Sequence, residues 1–296
     1  MQINLFDDNG IYIDPITYKI KSCENIDFVF KQMQFDGITI FTDCFLFSDV
    51  VDNVKCQKKI AWLFEPKILS PNIYDVYKVE HKFDYIFTYD ETLLARGDKY
   101  KLVPAGCCWI ALEHQQIHKK SKLTSCIMSS KRFLPGHCMR FDIYNGYRNR
   151  IDFYGKVCKP IKTKDVGLND YMFSVCIENN ITKNYFTEKL IDCFMTGTVP
   201  IYYGCNNVGD FFDVNGILSF SNIKEFDNII NNISPQLYES LSVSIKNNFE
   251  IAKQYISMED WIYDKYLLDL IYLDDSDYIH PGSGKLMSSK KICIGQ

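Results

Sequence analysis

The sequence predicts an α/β protein built from two Rossmann-like domains. Short apolar runs rich in β-branched and aromatic residues alternate with helix-like segments in both halves of the chain, as expected for parallel sheets with crossover helices. Of the 296 residues, 47% are hydrophobic and 15% aromatic, which is enough for two packed cores. A polar, lysine-bearing stretch without a strand pattern, residues 111–124, lies between the halves and predicts an interdomain connection.

The predicted domain bounds follow from this division. Residues 1–110 form an N-terminal domain, 111–124 a linker, 125–257 a second domain, and 258–296 a C-terminal helix with a flexible tail. In the N-terminal domain, strands are predicted at 38–42, 59–64, 84–88 and 100–103, and helices at 72–80 and 91–96. In the second domain, strands are predicted at 125–128, 151–154, 173–177, 201–203 and 217–220, and helices at 139–147, 223–233 and 236–256.

One strand of the N-terminal domain ends in a carboxylate. Glu65 follows the apolar run 59–64 directly, at the carboxyl end of that strand. Open α/β sheets bind their ligands at the carboxyl ends of the strands, so Glu65 is a candidate functional residue. The alternative is a glutamate that ends a strand in water. Other carboxylates of this domain that could take its place are Asp43, Asp90 and Glu91.

The most informative stretch is YMFSVCIENNITKNYFTEKLIDCFMTGTVPIYYG, residues 171–204. It predicts a βαβ unit: a buried strand, a polar loop, a helix capped by Asn184, and a second strand. Gly197 lies where a helix C-terminus favours a left-handed residue. Several polar and charged side chains crowd around the start of this helix, at the carboxyl end of the first strand; they are Glu178, Asn179, Tyr185, Glu188 and Lys189. The alternative is an ordinary βαβ unit with a polar loop.

Arginine is used locally in this chain. Only five of its 33 basic residues are Arg, and four of them lie between Arg132 and Arg150. A guanidinium group binds phosphate in a planar, bidentate way that an ammonium group cannot reproduce. Arg140 is predicted to begin the helix at 139–147, directly after a polar loop. For Arg148 and Arg150, a solvated helix face explains the sequence equally well.

The block at 178–204 also resembles a known family. The pattern E-N-x-x-x-x-N-Y-x-T-E-K, followed by an apolar helix and G-T-V-P-I-Y-Y-G, is similar to the signature of glycosyltransferase family 10, the α1,3/4-fucosyltransferases. Its spacing matches without a gap. Ile177 stands where the family usually has Phe, and Asn180 where Ser or Thr is usual. The resemblance is looser over 59–104, which contains an F-D-Y strand, and over 125–155, where Arg140 and Tyr144 form R-x-x-x-Y.

The resemblance implies a fold and a mechanism. It implies the GT-B architecture, in which two Rossmann-like domains face each other across a cleft and a C-terminal helix crosses back. It further implies an inverting transfer of fucose from GDP-fucose to a sugar hydroxyl, without a metal or other cofactor, that gives an α-fucoside. Glu65 would be the general base. Arg140, Lys189 and the N-terminus of a helix at 185–195 would neutralise the diphosphate, Glu188 would accept hydrogen bonds from ribose or fucose, and Glu178, Asn179 and Tyr185 would line the donor pocket.

Two rival functions remain open from the sequence. One is a GT-B transferase that uses another nucleotide sugar, because the block fixes phosphate and ribose better than the hexose. The other is a non-catalytic glycan-binding protein on a decayed transferase fold. Decay usually removes charged catalytic groups, whereas the four that matter most here are all present; they are Glu65, Arg140, Glu188 and Lys189.

Composition and spacing argue against several other classes. A net charge of −4 gives no general attraction to nucleic acid, and the chain has no apolar run long enough for a transmembrane helix. Acidic residues near the N-terminus are unlike a signal peptide, so we expect a soluble, cytoplasmic enzyme of bacterial or viral origin. The twelve cysteines lack a C-x-x-C and favour buried thiols over a disulfide framework or a zinc site. Neither D-x-D at 275–277 nor G-S-G-K at 282–285 has the strand context of a functional motif.

Overall fold

The computed structural model describes residues 1–8 and 23–272, and the first of its two sheets lies in the N-terminal half. This sheet has six parallel strands in the order β2-β1-β3-β4-β5-β6. The strands are β1 (Gln2–Phe6), β2 (Asp27–Phe30), β3 (Ile38–Thr42), β4 (Lys58–Trp62), β5 (Tyr85–Thr88) and β6 (Tyr100–Leu102). The four strands expected between 38 and 103 are confirmed within two residues of their predicted ends.

The sequence prediction missed β1 and β2. Asn4 interrupts the apolar run of β1, yet it is fully buried, because its amide nitrogen donates to the Gln32 carbonyl at 2.8 Å and to the Thr39 hydroxyl at 3.2 Å. A buried polar group with such partners fits a central strand, although it breaks the apolar pattern. The short helical pieces of this domain are α1 (Val50–Asn53), three 3-10 segments (Asp43–Phe45, Pro71–Lys78 and Glu80–Lys82) and α2 (Glu91–Leu94). The helix predicted at 72–80 is therefore 3-10 rather than α-helical.

The second sheet has five parallel strands in the order β11-β10-β9-β7-β8. The strands are β7 (Lys122–Ile127), β8 (Asp152–Tyr154), β9 (Tyr171–Ile177), β10 (Val199–Tyr203) and β11 (Leu218–Ser219), and the helices are α3 (Pro135–Tyr147), α4 (Glu188–Met195), α5 (Ile223–Asn232), α6 (Pro235–Ser240) and α7 (Ser242–Ala252). Strand β7 starts at Lys122, inside the stretch predicted as linker. The helix expected over 236–256 is divided in two at Leu241, which lies between α6 and α7.

Two predicted helix starts in this domain are wrong. Helix α3 begins at Pro135, a residue suited to the first helical turn, so Arg140 lies in its second turn rather than at its start. Helix α4 begins at Glu188 and not near 185, because the Thr187 side chain caps it by accepting from the Lys189 N–H. Asn184, which was predicted to cap this helix, instead has a left-handed backbone with φ 60°. The left-handed glycine after the helix is confirmed, with φ 70° at Gly197.

The C-terminal helical segment returns to the first domain, as the fold prediction required. It consists of α8 (Met258–Ile262), a π-helical stretch (Tyr263–Leu267) and α9 (Leu268–Tyr272). The Tyr266 hydroxyl donates to the Leu102 carbonyl at 2.7 Å, and its ring stacks on Phe87 with 5.5 Å between centroids. Over the described residues, no helix combines the length and apolarity needed to cross a membrane. The D-x-D at 275–277 and the G-S-G-K at 282–285 lie outside the described residues.

Gly136 and Gly146 provide a matched test of how closely α3 packs on the second sheet. A Cβ at Gly136 would lie 1.8 Å from the Glu178 carbonyl oxygen, whereas one at Gly146, in the same helix, would meet nothing within 4 Å. We expect Gly136→Ala to lower the free energy of unfolding by about 1–3 kcal/mol or more through overpacking against backbone. Gly146→Ala should be neutral or raise it by up to about 1 kcal/mol. Urea unfolding of both variants checks this, and equal effects would contradict the close approach.

Candidate active site at the domain junction

The site is organised around a fully buried carboxylate at the end of β9. Glu178 has no exposed surface, and its carboxylate accepts from the Thr187 N–H at 2.9 Å. The Thr187 hydroxyl lies 3.0 and 2.8 Å from the two carboxylate oxygens, and the Lys189 ammonium is 3.3 Å away. Burial of a carboxylate is tolerated only with such partners, so these contacts fix the loop between β9 and α4. The Glu178 side chain is therefore closed to solvent.

Glu188, the first residue of α4, is held between two lysines. Its carboxylate lies 3.3 Å from the ammonium of Lys189 and 3.3 Å from that of Lys164. Burial by itself would raise the pKa of Glu188, but the charges of Lys189 and Lys164 outweigh it and hold the pKa well below its ordinary value. Burial would likewise lower the pKa of Lys189, whereas Glu178 and Glu188 raise it above its ordinary value. Glu188 and Lys189 are therefore both charged at neutral pH.

The sequence prediction missed Lys164 and Asp192. The Lys164 ammonium lies 2.8 Å from the Asp192 carboxylate and 4.2 Å from the centre of the Trp109 ring. Asp192, which is 1% exposed, also accepts from the Trp109 N–H at 2.6 Å. Helical i, i+4 spacing from Glu188 could have identified Asp192, since both would share one face of α4. Lys164 has no such sequence signal, because only the folded chain brings it to α4.

Arg140 brings a positive charge to the same end of the sheet. It is 6% exposed, and its Nη2 donates to the Asn179 side-chain oxygen at 3.2 Å. Its buried Nε has no hydrogen-bond partner, and no carboxylate of the described residues forms an ion pair with it. His137, one turn earlier, is also buried, and both desolvation and the Arg140 charge lower its pKa. A buried donor without an acceptor next to a neutral histidine suits an anion.

Glu65 lies on the N-terminal side of the junction, just beyond β4. Its backbone N–H donates to the Asp43 carboxylate at 3.1 Å, beside that of Phe64 at 2.9 Å. Burial raises the pKa of Glu65, and Lys131, which belongs to the second sheet's domain, partly offsets this. The charge of Lys131 in the second domain therefore acts on the carboxylate of Glu65 in the first. Burial also raises the pKa of Asp43 to about 6, against the lowering effect of the two backbone donors.

The other carboxylates considered for the N-terminal domain have different surroundings. Asp90 caps α2 by accepting from the Leu93 N–H at 3.0 Å, and it forms an ion pair with Lys67 at 3.0 Å. Glu91 is exposed and pairs with Lys183 across the junction at 2.7 Å. The Asp43 carboxylate already accepts hydrogen bonds from the backbone N–H groups of Phe64 and Glu65. Of the four carboxylates, only Glu65 has a half-buried side chain beside the second domain without a capping role.

Tyr185 occupies the junction itself rather than an open pocket. Its side chain is 4% exposed and packs in the N-terminal core, with its ring centroid 4.8 Å from that of Tyr89. The preceding residue, Asn184, donates from its side-chain nitrogen to the Tyr89 carbonyl at 3.2 Å. The structure thus brings five of the predicted site residues to one end of the second sheet: Arg140, Glu178, Asn179, Glu188 and Lys189. Tyr185 and Glu65 lie where this end of the sheet faces the N-terminal domain. In the described part of the chain, no three His, Cys, Asp or Glu side chains are grouped as metal ligands.

Sequence comparisons agree with this geometry. The model of glycosyltransferase family 10 (fucosyltransferase), C-terminal part, matches residues 117–234, which contain every site residue named above for the second sheet. We call the matched region, residues 117–234, the family 10 domain, because it is similar to that model. It is 36% identical over 73 residues to the α-(1,3)-fucosyltransferase FucT of Helicobacter pylori, covering 25% of this chain and 15% of that protein. The mouse 4-galactosyl-N-acetylglucosaminide 3-α-L-fucosyltransferase 9 is 25% identical over 202 residues, covering 62% of this chain and 48% of that protein.

The matched region spans less than half the length of either relative. The family 10 domain and its N-terminal partner also resemble a solved α1,3-fucosyltransferase structure with GDP-fucose. The TM-score is 0.53 at 17% identity, and the match covers 86% of this chain and 90% of that one. At this identity the likeness shows the fold, which is GT-B: two parallel-sheet α/β domains with a helical segment that returns to the first.

Proposed function

We propose that this protein transfers fucose from GDP-fucose to a sugar hydroxyl of a glycan, with inversion at the anomeric carbon. The observation that carries the proposal is the buried guanidinium of Arg140, which lacks a carboxylate partner among the described residues and lies in the family 10 domain beside Asn179. A fixed cation at this position suits the diphosphate of a nucleotide sugar. The relatives named as fucosyltransferases favour fucose as the transferred sugar.

In the proposed reaction, Glu65 takes the proton of the acceptor hydroxyl as that oxygen bonds to the anomeric carbon. The bond from this carbon to the diphosphate oxygen breaks, and the electron pair leaves with GDP. Arg140 and Lys189 stabilise the negative charge that grows on the diphosphate in the transition state. Burial favours Glu65 as a base, because its raised pKa brings its proton affinity closer to neutral pH.

The remaining side chains divide between contact and support. We infer that Glu188, kept ionised by its two lysines, accepts hydrogen bonds from ribose or fucose hydroxyls, and that Asn179 and the edge of Tyr185 line the same pocket. Glu178 serves by holding Thr187 and Lys189, since its own carboxylate is buried. The domain bounds 1–110 and 125–257 remain part of this proposal, with the acceptor placed by the first and the donor by the second.

A donor screen tests the proposal directly. We expect the protein to release GDP from GDP-fucose in the presence of β-galactoside and N-acetylglucosamine acceptors, with little turnover of GDP-mannose or UDP-sugars. The activity should persist in excess EDTA, because cationic side chains already meet the diphosphate. Turnover of a UDP-sugar instead would identify another GT-B transferase. Binding of glycans with no turnover of any donor would support the non-catalytic alternative.

Glu65→Gln separates chemistry from donor binding. The amide keeps the size of the side chain but cannot accept the acceptor proton, so transfer should fall by about 10²–10⁴-fold, as expected for a positioned base. GDP affinity measured by calorimetry should stay close to that of the wild type, because the family 10 domain holds the nucleotide. Near-normal transfer would move the base to Asp43 or another carboxylate, and a large loss of GDP affinity would contradict the division of roles between the domains.

Arg140, inside α3, and Arg148, at the end of α3, provide a matched test of whether Arg140 binds the diphosphate. Arg140 is buried beside Asn179, whereas Arg148 is exposed just beyond the helix. Arg140→Ala should lower turnover by about 10²-fold or more, as for the loss of one preorganised charge-stabilising donor. Lys189→Ala should behave similarly, and Arg148→Ala should have little effect. Small and equal losses of turnover in all three variants would contradict the assignment.

A further inference from the structure

Two buried tyrosines support the turn that carries Glu65. The Tyr74 hydroxyl donates to the Glu65 carbonyl at 3.0 Å, and the hydroxyls of Tyr74 and Tyr89 are 2.8 Å apart. The Lys67 N–H donates to the Tyr89 hydroxyl at 3.1 Å. The backbone on both sides of Pro66 is therefore attached to this pair of hydroxyls. Both tyrosines are buried, at 4% and 2% exposed, so water does not compete for these bonds.

Every donor and acceptor in this cluster can be paired. Each hydroxyl has one proton to donate and can accept at its oxygen. One arrangement satisfies every group: the Lys67 N–H donates to Tyr89, the Tyr89 hydroxyl to the oxygen of Tyr74, and the Tyr74 hydroxyl to the Glu65 carbonyl. Burial raises the pKa of Tyr89 to about 12 and that of Tyr74 further, so both remain neutral donors at physiological pH.

The other side of Tyr89 contacts the loop of the family 10 domain. Its ring packs against Tyr185 at 4.8 Å between centroids, and its carbonyl accepts from the Asn184 side chain at 3.2 Å. Asn184 is itself fixed by Asn207, which accepts from its backbone N–H and donates to its side-chain oxygen, both at 2.8 Å. The left-handed backbone of Asn184 is thereby held at a fixed conformation, with its amide aimed at Tyr89.

We propose that Tyr74 and Tyr89 are positioning residues that couple the loop before α4 to the turn carrying Glu65. This inference rests on the proposed transferase function and deepens it. The loop bears Thr187 and leads into Glu188 and Lys189, so its docking on Tyr89 places the donor-binding groups. Tyr89 also contacts Tyr74, whose hydroxyl binds the main-chain carbonyl of Glu65. Donor site and base are then set by one continuous series of contacts across the domain junction.

Such coupling matters because the base acts only at hydrogen-bonding distance from the acceptor hydroxyl. A displacement of about 1 Å lowers a rate by about 10²-fold. The Glu65 backbone is held at its N–H by Asp43 and at its carbonyl by Tyr74, which leaves only side-chain rotation free. Loss of the Tyr74 hydroxyl releases one of these two attachments and leaves donor-binding groups in place.

Tyr74→Phe and Tyr89→Phe test the proposal, with Tyr154→Phe as control. Tyr154→Phe also removes one hydroxyl from a buried tyrosine pair, because the hydroxyls of Tyr154 and Tyr171 are 2.7 Å apart. This pair lies within the family 10 domain and away from Glu65. We expect kcat to fall by about 10-fold or more in the first two variants through misplacement of the base. GDP affinity and the donor KM should change by less than about two-fold, since no donor contact is lost. The control should lose comparable thermal stability and keep its kcat.

The pH profile supplies a readout that a merely structural role would not move. Burial raises the pKa of Glu65, and a base works only when deprotonated, so activity falls on the acidic side of that pKa. A loosened turn lets water reach the carboxylate, which lowers its pKa. The acidic limb of the kcat/KM profile should therefore shift to lower pH in Tyr74→Phe and stay unchanged in Tyr154→Phe.

A double-mutant cycle tests the coupling to the loop. Asn184→Gly keeps a residue that tolerates φ 60° while removing the amide that contacts Tyr89. If one series of contacts is involved, the double variant Asn184→Gly/Tyr74→Phe should lose less than the product of the two single fold-losses in kcat. Strictly multiplicative losses would overturn the coupling.

The controls separate this inference from the function on which it rests. Normal kcat and an unmoved acidic limb in Tyr74→Phe, in an enzyme that Glu65→Gln inactivates, would overturn the positioning role alone. Near-normal transfer by Glu65→Gln would overturn the base assignment and the positioning role with it.

Discussion

Glu178 ends β9 with its carboxylate entirely out of solvent, bound by Thr187 and 3.3 Å from the Lys189 ammonium. Removing one partner of a buried ion pair typically destabilises a protein by about 3–5 kcal/mol, so the loop between these residues has little conformational freedom. The same carboxylate explains Gly204, where a Cβ would lie 2.6 Å from the Glu178 Cγ. The start of α4, and hence the position of Glu188, follows from where Thr187 must sit to reach Glu178.

Charges alternate along this part of the site. The series runs from Asp192 through Lys164, Glu188 and Lys189 to Glu178, with neighbouring groups 2.8–3.3 Å apart. Because each lysine is already held by two carboxylates, an incoming anion meets its strongest unshared attraction at Arg140. The lysines keep their positions before the anion arrives, which is the condition for preorganised charge stabilisation.

Local sequence patterns predicted most of this architecture, and their failures have physical causes. Strands such as β3 and β9 are mostly apolar and almost entirely buried, because both faces of a parallel sheet are covered, and their sequences predicted them directly. The signature block placed Glu188 and Lys189 together because they share one helical turn. Lys164 and the Tyr74–Tyr89 pair were not found, since their roles depend on contacts between distant segments. Asn184 was misassigned because an asparagine that caps a helix and one that adopts a left-handed backbone look alike in sequence.

The junction between the domains is built like a core and not like a hinge. Tyr185 belongs to the loop of the family 10 domain, yet it packs in the same apolar cluster as Phe41 and Tyr74 of the N-terminal domain. Exposing a side chain of this size costs about 1.5–3 kcal/mol, and the Asn184 bond to Tyr89 would be lost with it. Separation of the domains at this point is therefore disfavoured. By contrast, Lys131 and Phe133 lie exposed in the loop before α3, and Phe133 is 64% exposed. Packing therefore constrains the loop before α3 less than it constrains the junction at Tyr185.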